Sequence, residues 1–208
     1  MCLTNLSQRG LRAAMSHPEI YRVPKKEDAS NVAEQRKGGV SATDEQWKRE
    51  LSDRQYQVLR KKATEPPNMG KFPETFIDFS NSGVYFCAGC DALGYVTPLY
   101  SSSMKYNCGC GWPGFWTNVR GNVYKQKSDP IAQCGCKAGQ PALQMVEIMC
   151  ARCDGHLGHI YKGEGNGYCT NERHCVNSLS ILFVPKGGGL PVATTYKKFL
   201  RTIGAGCV

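Results

Sequence analysis

A mainly antiparallel β domain behind a short helical lead-in is the fold that the sequence predicts. Three observations predict it. Between residues 70 and 185, Gly and Pro punctuate short segments rich in Val, Ile, Tyr and Phe. No long helical period runs through that stretch. Ahead of it stand two helix-start signals, closed off by Pro66-Pro67.

The elements follow in order. Thr43-Asp44-Glu45-Gln46 has the form of a capping box, in which a hydroxyl and an amide side chain satisfy each other's free backbone amides. Trp47 and Leu51 then lie four apart on one face. Ser52-Asp53-Arg54-Gln55 is a second box, with Tyr56 and Leu59 as its apolar face and Val58 beside them. Two helices are expected, roughly 44–51 and 53–62. The best strand candidates are Gly83–Phe86, Val119–Lys125, Leu143–Met149, His159–Lys162 and Ser178–Val184. In the last of these, Leu179, Ile181 and Phe183 alternate with Ser180 and Leu182.

The chain has 208 residues, enough for one ordinary domain with extensions. Residues 1–42 read as a disordered N-terminal extension, 43–186 as the domain, and 187–208 as a flexible basic tail. Residues 1–18 have a faint transit-peptide composition; a plain polar tail is the preferred reading. The longest apolar stretch, Leu179–Val184, falls far short of the about 20 residues a bilayer span needs, so no membrane helix is expected. The net charge of +9 is spread along the chain rather than gathered in one stripe, which argues against a specific nucleic-acid partner.

The 12 Cys are the strongest compositional signal. A disulfide-stapled secreted scaffold is usually short and led by a signal peptide, and this sequence shows neither trait. An intracellular, cytoplasmic setting is expected, with the mitochondrion or another organelle as the alternative. Cys87-Ala-Gly-Cys90 and Cys150-Ala-Arg-Cys153 are paired CxxC motifs that can bring four sulfurs onto one ion. Four soft ligands suit tetrahedral Zn²⁺ and leave no open position, so one structural Zn²⁺ per chain is expected. Two separate redox dithiols are the alternative, but the βαβ pattern they usually accompany is missing.

Cys175 is flanked by Arg173 and His174, which favour a thiolate. His156 and His159 lie closely upstream and can supply acid–base groups. Cys110 stands between Gly109 and Gly111, in a loop free to swing a second thiol onto an oxidised one. Singly, each of these has a bland alternative: a buried Cys, a structural His pair, a core Trp112.

Together, five ordered blocks make the chain from about Glu45 to Pro185 resemble the B-type methionine-R-sulfoxide reductases. They are Tyr56–Glu65, Gly83-Val-Tyr-Phe-Cys-Ala-Gly-Cys90, Gly109-Cys-Gly-Trp-Pro-Gly-Phe115, Cys150–His159 and Arg173-His-Cys-Val-Asn-Ser178. The resemblance implies two antiparallel sheets with short outer helices, a β-tent. It implies Cys175 as the catalytic thiol and Cys110 as the resolving thiol. Trp112 would receive the substrate's methyl group, with Phe115 and Arg173 as further substrate contacts. His156, His159 and Asn177 would surround the sulfoxide oxygen, and Cys87, Cys90, Cys150 and Cys153 would hold zinc. The implied partners are oxidised proteins carrying methionine-R-sulfoxide and thioredoxin or a similar dithiol; a monomer is expected.

The chain also departs from the family pattern. Met145 stands where an Arg is common, and Lys162-Gly163-Glu164-Gly165 replaces an Asp-Gly-Pro turn. Cys134 to Gly139 reads as an insertion. Cys108, Cys134, Cys136 and Cys169 are extra thiols that could compete with Cys110, and Cys2 and Cys207 lie in the tails. Three rival readings are a zinc-ribbon nucleic-acid module, which leaves Arg173–Ser178 unexplained, a redox scaffold that binds without turnover, and a zinc hydrolase using His156 and His159, which needs a third ligand and an open zinc position.

Overall fold

A computed structural model of the chain describes residues 39–68, 83–126, 144–165 and 167–186. Both expected helices are present: α1 (Asp44–Glu50) and α2 (Asp53–Lys61). Each begins with its capping box formed in full, Thr43 with Gln46 and Ser52 with Gln55. Trp47, Tyr56 and Leu59 turn inward, and the Arg60 guanidinium lies over the Trp47 ring. Helix α2 ends where Lys62 takes a left-handed conformation, φ 60°.

Among the described residues eight strands follow: β1 (Gly83–Cys87), β2 (Pro98–Ser101), β3 (Gly114–Phe115), β4 (Val123–Gln126), β5 (Gln144–Cys150), β6 (His156–Lys162), β7 (Glu172–Val176) and β8 (Ile181–Pro185). They form two antiparallel sheets, one in the order β2-β1-β8 and the other β3-β7-β6-β5-β4. The two-sheet, mainly β architecture is thus as expected. The core between sheets and helices holds Leu59, Leu99, Tyr100, Phe115, Ile148, Leu157, Ile160 and Ile181, all essentially sealed from solvent. Among the described residues, no helix is long and apolar enough to cross a membrane.

Several boundaries differ from the sequence reading, each for a local reason. The final strand starts at Ile181 rather than Ser178. Ser178–Ser180 form a 3₁₀ turn, because the Ser178 and Leu179 amides donate to the Glu65 carboxylate and not to a ladder. The strand expected from Val119 starts at Val123, after a turn in which the Asn122 amide donates to the Val119 carbonyl. The first CxxC is not a bare turn but opens a helical turn, α3 (Ala88–Ala92), capped by the Cys87 sulfur. The Cys134–Gly139 insertion, Cys2, Cys207 and the tail residues 1–38 and 187–208 lie outside the described residues.

Candidate active site

The site is built on strand register. Cys175 of β7 pairs with Gly114 of β3 on one side and with His159 of β6 on the other, and His159 pairs with Glu147 of β5. Directly opposed residues of antiparallel strands share a face. Glu147, His159, Cys175 and the Gly114 position therefore form a row across the sheet.

Gly158 fixes the approach of β6 to β7. Its φ is +150°, and a Cβ there would lie 2.0 Å from the Cys175 carbonyl oxygen. Any side chain at 158 would push the two strands apart.

The loop before β3 brings the second sulfur. Its ends are tied by the Tyr106 amide to the Gly114 carbonyl and the Val176 amide to the Pro113 carbonyl. Cys175 donates from Sγ to Cys110 Sγ at 3.1 Å, so the structure brings the two expected redox thiols together. Cys108 Sγ stands 2.9 Å from Cys110 Sγ. Arg173 Nη1 donates to Cys175 Sγ at 2.7 Å. Glu164 grips the same guanidinium with both oxygens, at 2.6 and 2.5 Å, and Arg173 lies over the Tyr161 ring. The loop that departs from the family turn thus supplies the carboxylate that aims Arg173.

Charge in the cluster is distributed by these bonds. Hydrogen bonds from Cys108 and then Cys175 hold the Cys110 thiol down at about 3. Cys108 and Cys110 hold the Cys175 proton on its sulfur, and burial adds to this. These bonds favour a thiolate on Cys110 over one on Cys175, with the Cys175 proton aimed at Cys110 and Arg173 beside Cys175. Burial acts to lower Arg173, but Glu164 and the two sulfurs outweigh it and raise it above its usual value.

His156 is 1% exposed, and its Nδ1 donates to Glu147 Oε1 at 2.8 Å. Lys62 Nζ holds the other Glu147 oxygen at 2.9 Å. Burial pushes the Glu147 carboxyl up, but His156 and Lys62 outweigh it and leave it below the usual range. His156 Nε2 is buried without a hydrogen-bond partner among the described residues. His159 stands edge-on to His156 with ring centroids 5.4 Å apart. Burial, then the neighbouring His156, lowers His159.

Asn177 and Trp112 meet through Glu65. The Glu65 amide donates to Asn177 Oδ1 at 3.1 Å, and Trp112 Nε1 donates to the Glu65 carbonyl at 3.0 Å. Asn177 Nδ2 donates to the Leu157 carbonyl. Both ends of the Asn177 amide are thus engaged with backbone, and it positions the segment that steadies Trp112. Phe115 is fully buried, stacked on Tyr100 with centroids 4.2 Å apart. It supports β3 from the core side rather than lining an exposed surface.

Some of this lay beyond sequence reasoning. No spacing pattern gives Glu65 a role, yet its buried carboxylate accepts from the Ser178 amide, the Ser178 hydroxyl and the Leu179 amide. Glu147 was invisible until β5 and β6 were in register. On the opposite face of β7, fully buried His174 contacts Tyr100 Oη through Nδ1 and Glu172 through Nε2. Cys169 is exposed and Cys134 and Cys136 lie outside the described residues, so of the extra thiols only Cys108 is seen in the sulfur cluster.

A second sulfur cluster lies away from this row. Cys87, Cys90, Cys150 and Cys153 are buried, with Cys87 Sγ 3.6 Å from Cys153 Sγ and Cys90 Sγ 3.6 Å from Cys150 Sγ. All four sulfurs lie within 4.8 Å of one another, close enough to hold one metal ion.

Residues 51–185 match the SelR domain family. The chain belongs to that family. Relatives in plants carry more specific names. Peptide methionine sulfoxide reductase B3 of Arabidopsis thaliana is 42% identical over 162 residues, which are 78% of this chain and 80% of the relative. Peptide methionine sulfoxide reductase B5 of the same plant is 42% identical over 146 residues, 70% of this chain and 90% of that protein. Peptide methionine sulfoxide reductase B3, chloroplastic, of Oryza sativa subsp. japonica is 43% identical over 148 residues, 71% of this chain and 56% of the relative. The SelR match contains the sulfur cluster, the Arg173–Glu164 pair and the four-cysteine site.

Proposed function

We propose that the chain reduces the R epimer of methionine sulfoxide, carried in proteins, to methionine. It is an oxidoreductase of the methionine sulfoxide reductase B type. The observation that carries this reading is the Cys175–Cys110 sulfur contact at 3.1 Å with Arg173 held against Cys175.

The geometry supports the following chemistry. Cys175 passes its proton to the Cys110 thiolate, and the Arg173 guanidinium takes the Cys175 charge. The Cys175 thiolate attacks the sulfoxide sulfur while the oxygen is protonated by the His156–His159 pair, a placed acid contributing typically about 10²–10⁴-fold. Methionine leaves and Cys175 becomes a sulfenic acid. Cys110 then attacks that sulfur, forming a disulfide and releasing the hydroxyl as water. An external dithiol, thioredoxin or a similar protein, restores both thiols by exchange. Trp112 provides the apolar surface for the methyl group.

The four buried cysteines fit Zn²⁺. A tetrahedron with bonds of about 2.3 Å sets sulfurs about 3.8 Å apart, near the separations seen here. Four protein ligands close the shell, so the ion would tie α3 to the turn after β5 and take no part in catalysis. The proposed molecule is a monomer with one Zn²⁺. It works in the cytoplasm or, as the chloroplastic rice relative suggests for the alternative, in an organelle.

The test is reduction of dabsylated R- and S-methionine sulfoxide with dithiothreitol. Wild type should reduce the R epimer alone, and Cys175→Ser should abolish this. A folded, metal-loaded wild type that reduces neither epimer overturns the reading.

A further inference from the structure

The redox cluster holds three sulfurs where two suffice. Cys110 is 2.9 Å from Cys108 and 3.1 Å from Cys175, and all three sulfurs lie within 4.8 Å of one another. They therefore form a triangle, not a row, and Cys108 faces Cys175 as well as Cys110. A separate observation fixes Cys108 in place. A Cβ built on Gly114 would lie 2.5 Å from Cys108 Sγ. Gly114 is the residue directly opposite Cys175, so that Cβ would point to the face Cys175 uses. The Cys108 sulfur fills the side-chain space of that cross-strand partner.

From this triangle we propose that Cys108 is a second resolving thiol, able to capture the oxidised Cys175 in place of Cys110. The proposal rests on the reductase reading. The sulfenic acid Cys175–S–OH and the thiol Cys108–SH give the Cys175–Cys108 disulfide and water. The S–O and S–H bonds break, the S–S bond forms, Cys175 is reduced and Cys108 is oxidised. Either disulfide then exchanges with the remaining thiol of the Cys108-Gly109-Cys110 loop with no net redox change, and the external dithiol reduces whichever it meets.

The charge pattern sets the order. The Cys108 thiol is pushed up to about 12, chiefly by its hydrogen bond to Cys110. With both present, Cys110 is the more acidic thiol of the two and attacks first. When Cys110 is removed or blocked, the main influence holding the Cys108 proton goes with it.

Wild type, Cys108→Ser, Cys110→Ser and the double variant are each given dabsylated methionine-R-sulfoxide without reductant. Each variant should release about one methionine, and wild type between about one and two because exchange within the loop can free Cys175 once more; this shows that each chain is folded and that the reductase reading holds. Failure of wild type to release methionine overturns that reading, and this proposal with it. Non-reducing peptide mapping of Cys110→Ser should then show a Cys108–Cys175 disulfide. With thioredoxin and its reductase supplied, Cys110→Ser should keep turnover within about tenfold of wild type, while the double variant loses it and accumulates sulfenic acid on Cys175. If Cys110→Ser releases its methionine but behaves as the double variant does, with no disulfide and no turnover, Cys108 is no resolving thiol.

Discussion

The molecule carries two sulfur clusters that differ in almost everything but the element. In one, Cys87, Cys90, Cys150 and Cys153 are buried at the junction of α3 and β5. In the other, Cys108, Cys110 and Cys175 are half-buried, two of them on a Gly-flanked loop and the third under an arginine. Four enclosed sulfurs can satisfy a metal and have no room to move. Three partly open sulfurs beside a guanidinium can carry a charge, change partners and meet a protein-sized substrate. Cysteine is inert or reactive according to ligand count, burial and the nearest cation.

The comparison can be broken most forcefully at the closed cluster. Stripping metal with a strong chelator, or Cys150→Ser, should lower the melting midpoint by more than about 10 °C, because metal affinity in such sites is folding free energy. A metal assay paired with calorimetry checks this; a chelated protein that melts unchanged would remove the structural role. At the open cluster the corresponding change is in reactivity. Arg173→Ala removes the guanidinium that takes up the Cys175 charge once its proton has moved, and activity should fall about 10–100-fold with little change in melting. The pH midpoint for Cys175 alkylation in a Cys108→Ser/Cys110→Ser background should rise in the same variant, and an unmoved midpoint would refute the role given to Arg173.

A smaller effect is expected where the open cluster is braced. Glu65→Gln weakens three buried bonds to Ser178 and Leu179. It should cost about 1.5–3 kcal/mol, read as a shift in urea midpoint. The smallest and most gradual effect comes from acid. His159 and His174 sit below their usual value through burial, so the fold binds fewer protons than the unfolded chain. Stability is then fully present above the ordinary histidine value of 6.5 and falls as pH drops below it. Glu172, which burial pushes up but His174 and Lys125 together bring down to about 2, adds a second loss between 4.5 and 2. Urea titrations should show midpoints falling in two stages on acidification; a rise on entering the first stage would contradict the sign.

Local signals were legible in the sequence and relational ones were not. The capping boxes of Thr43 and Ser52 are statements about neighbours in the chain, and each formed as read. Strand β7, which bears Cys175, escaped notice because its inward positions are Glu172, His174 and Val176. Two of those three are polar, satisfied by Lys125, Tyr100 and each other, so no apolar alternation betrays the strand. Strand β3 is two residues long, too short to carry a period. The Glu147–His156 contact crosses two neighbouring strands and the Glu65–Ser178 contact joins distant segments; both become visible only in the fold. Cys108 was noted as an extra thiol, but its seat over Gly114 belongs to the fold.

The Glu65 clasp also bears on when the molecule becomes competent during synthesis. It joins residues 113 positions apart, closing a loop that contains both sulfur clusters. A ribosome that has extruded Cys175 but still shelters Ser178 holds a chain in which all the cysteines of both clusters are out and Trp112 has no brace. Long-range closure of this kind comes late in folding. The strands that align Cys175 with His159 and Glu147 can thus form before the clasp, leaving an interval in which the cluster thiols are paired and Trp112 has no brace.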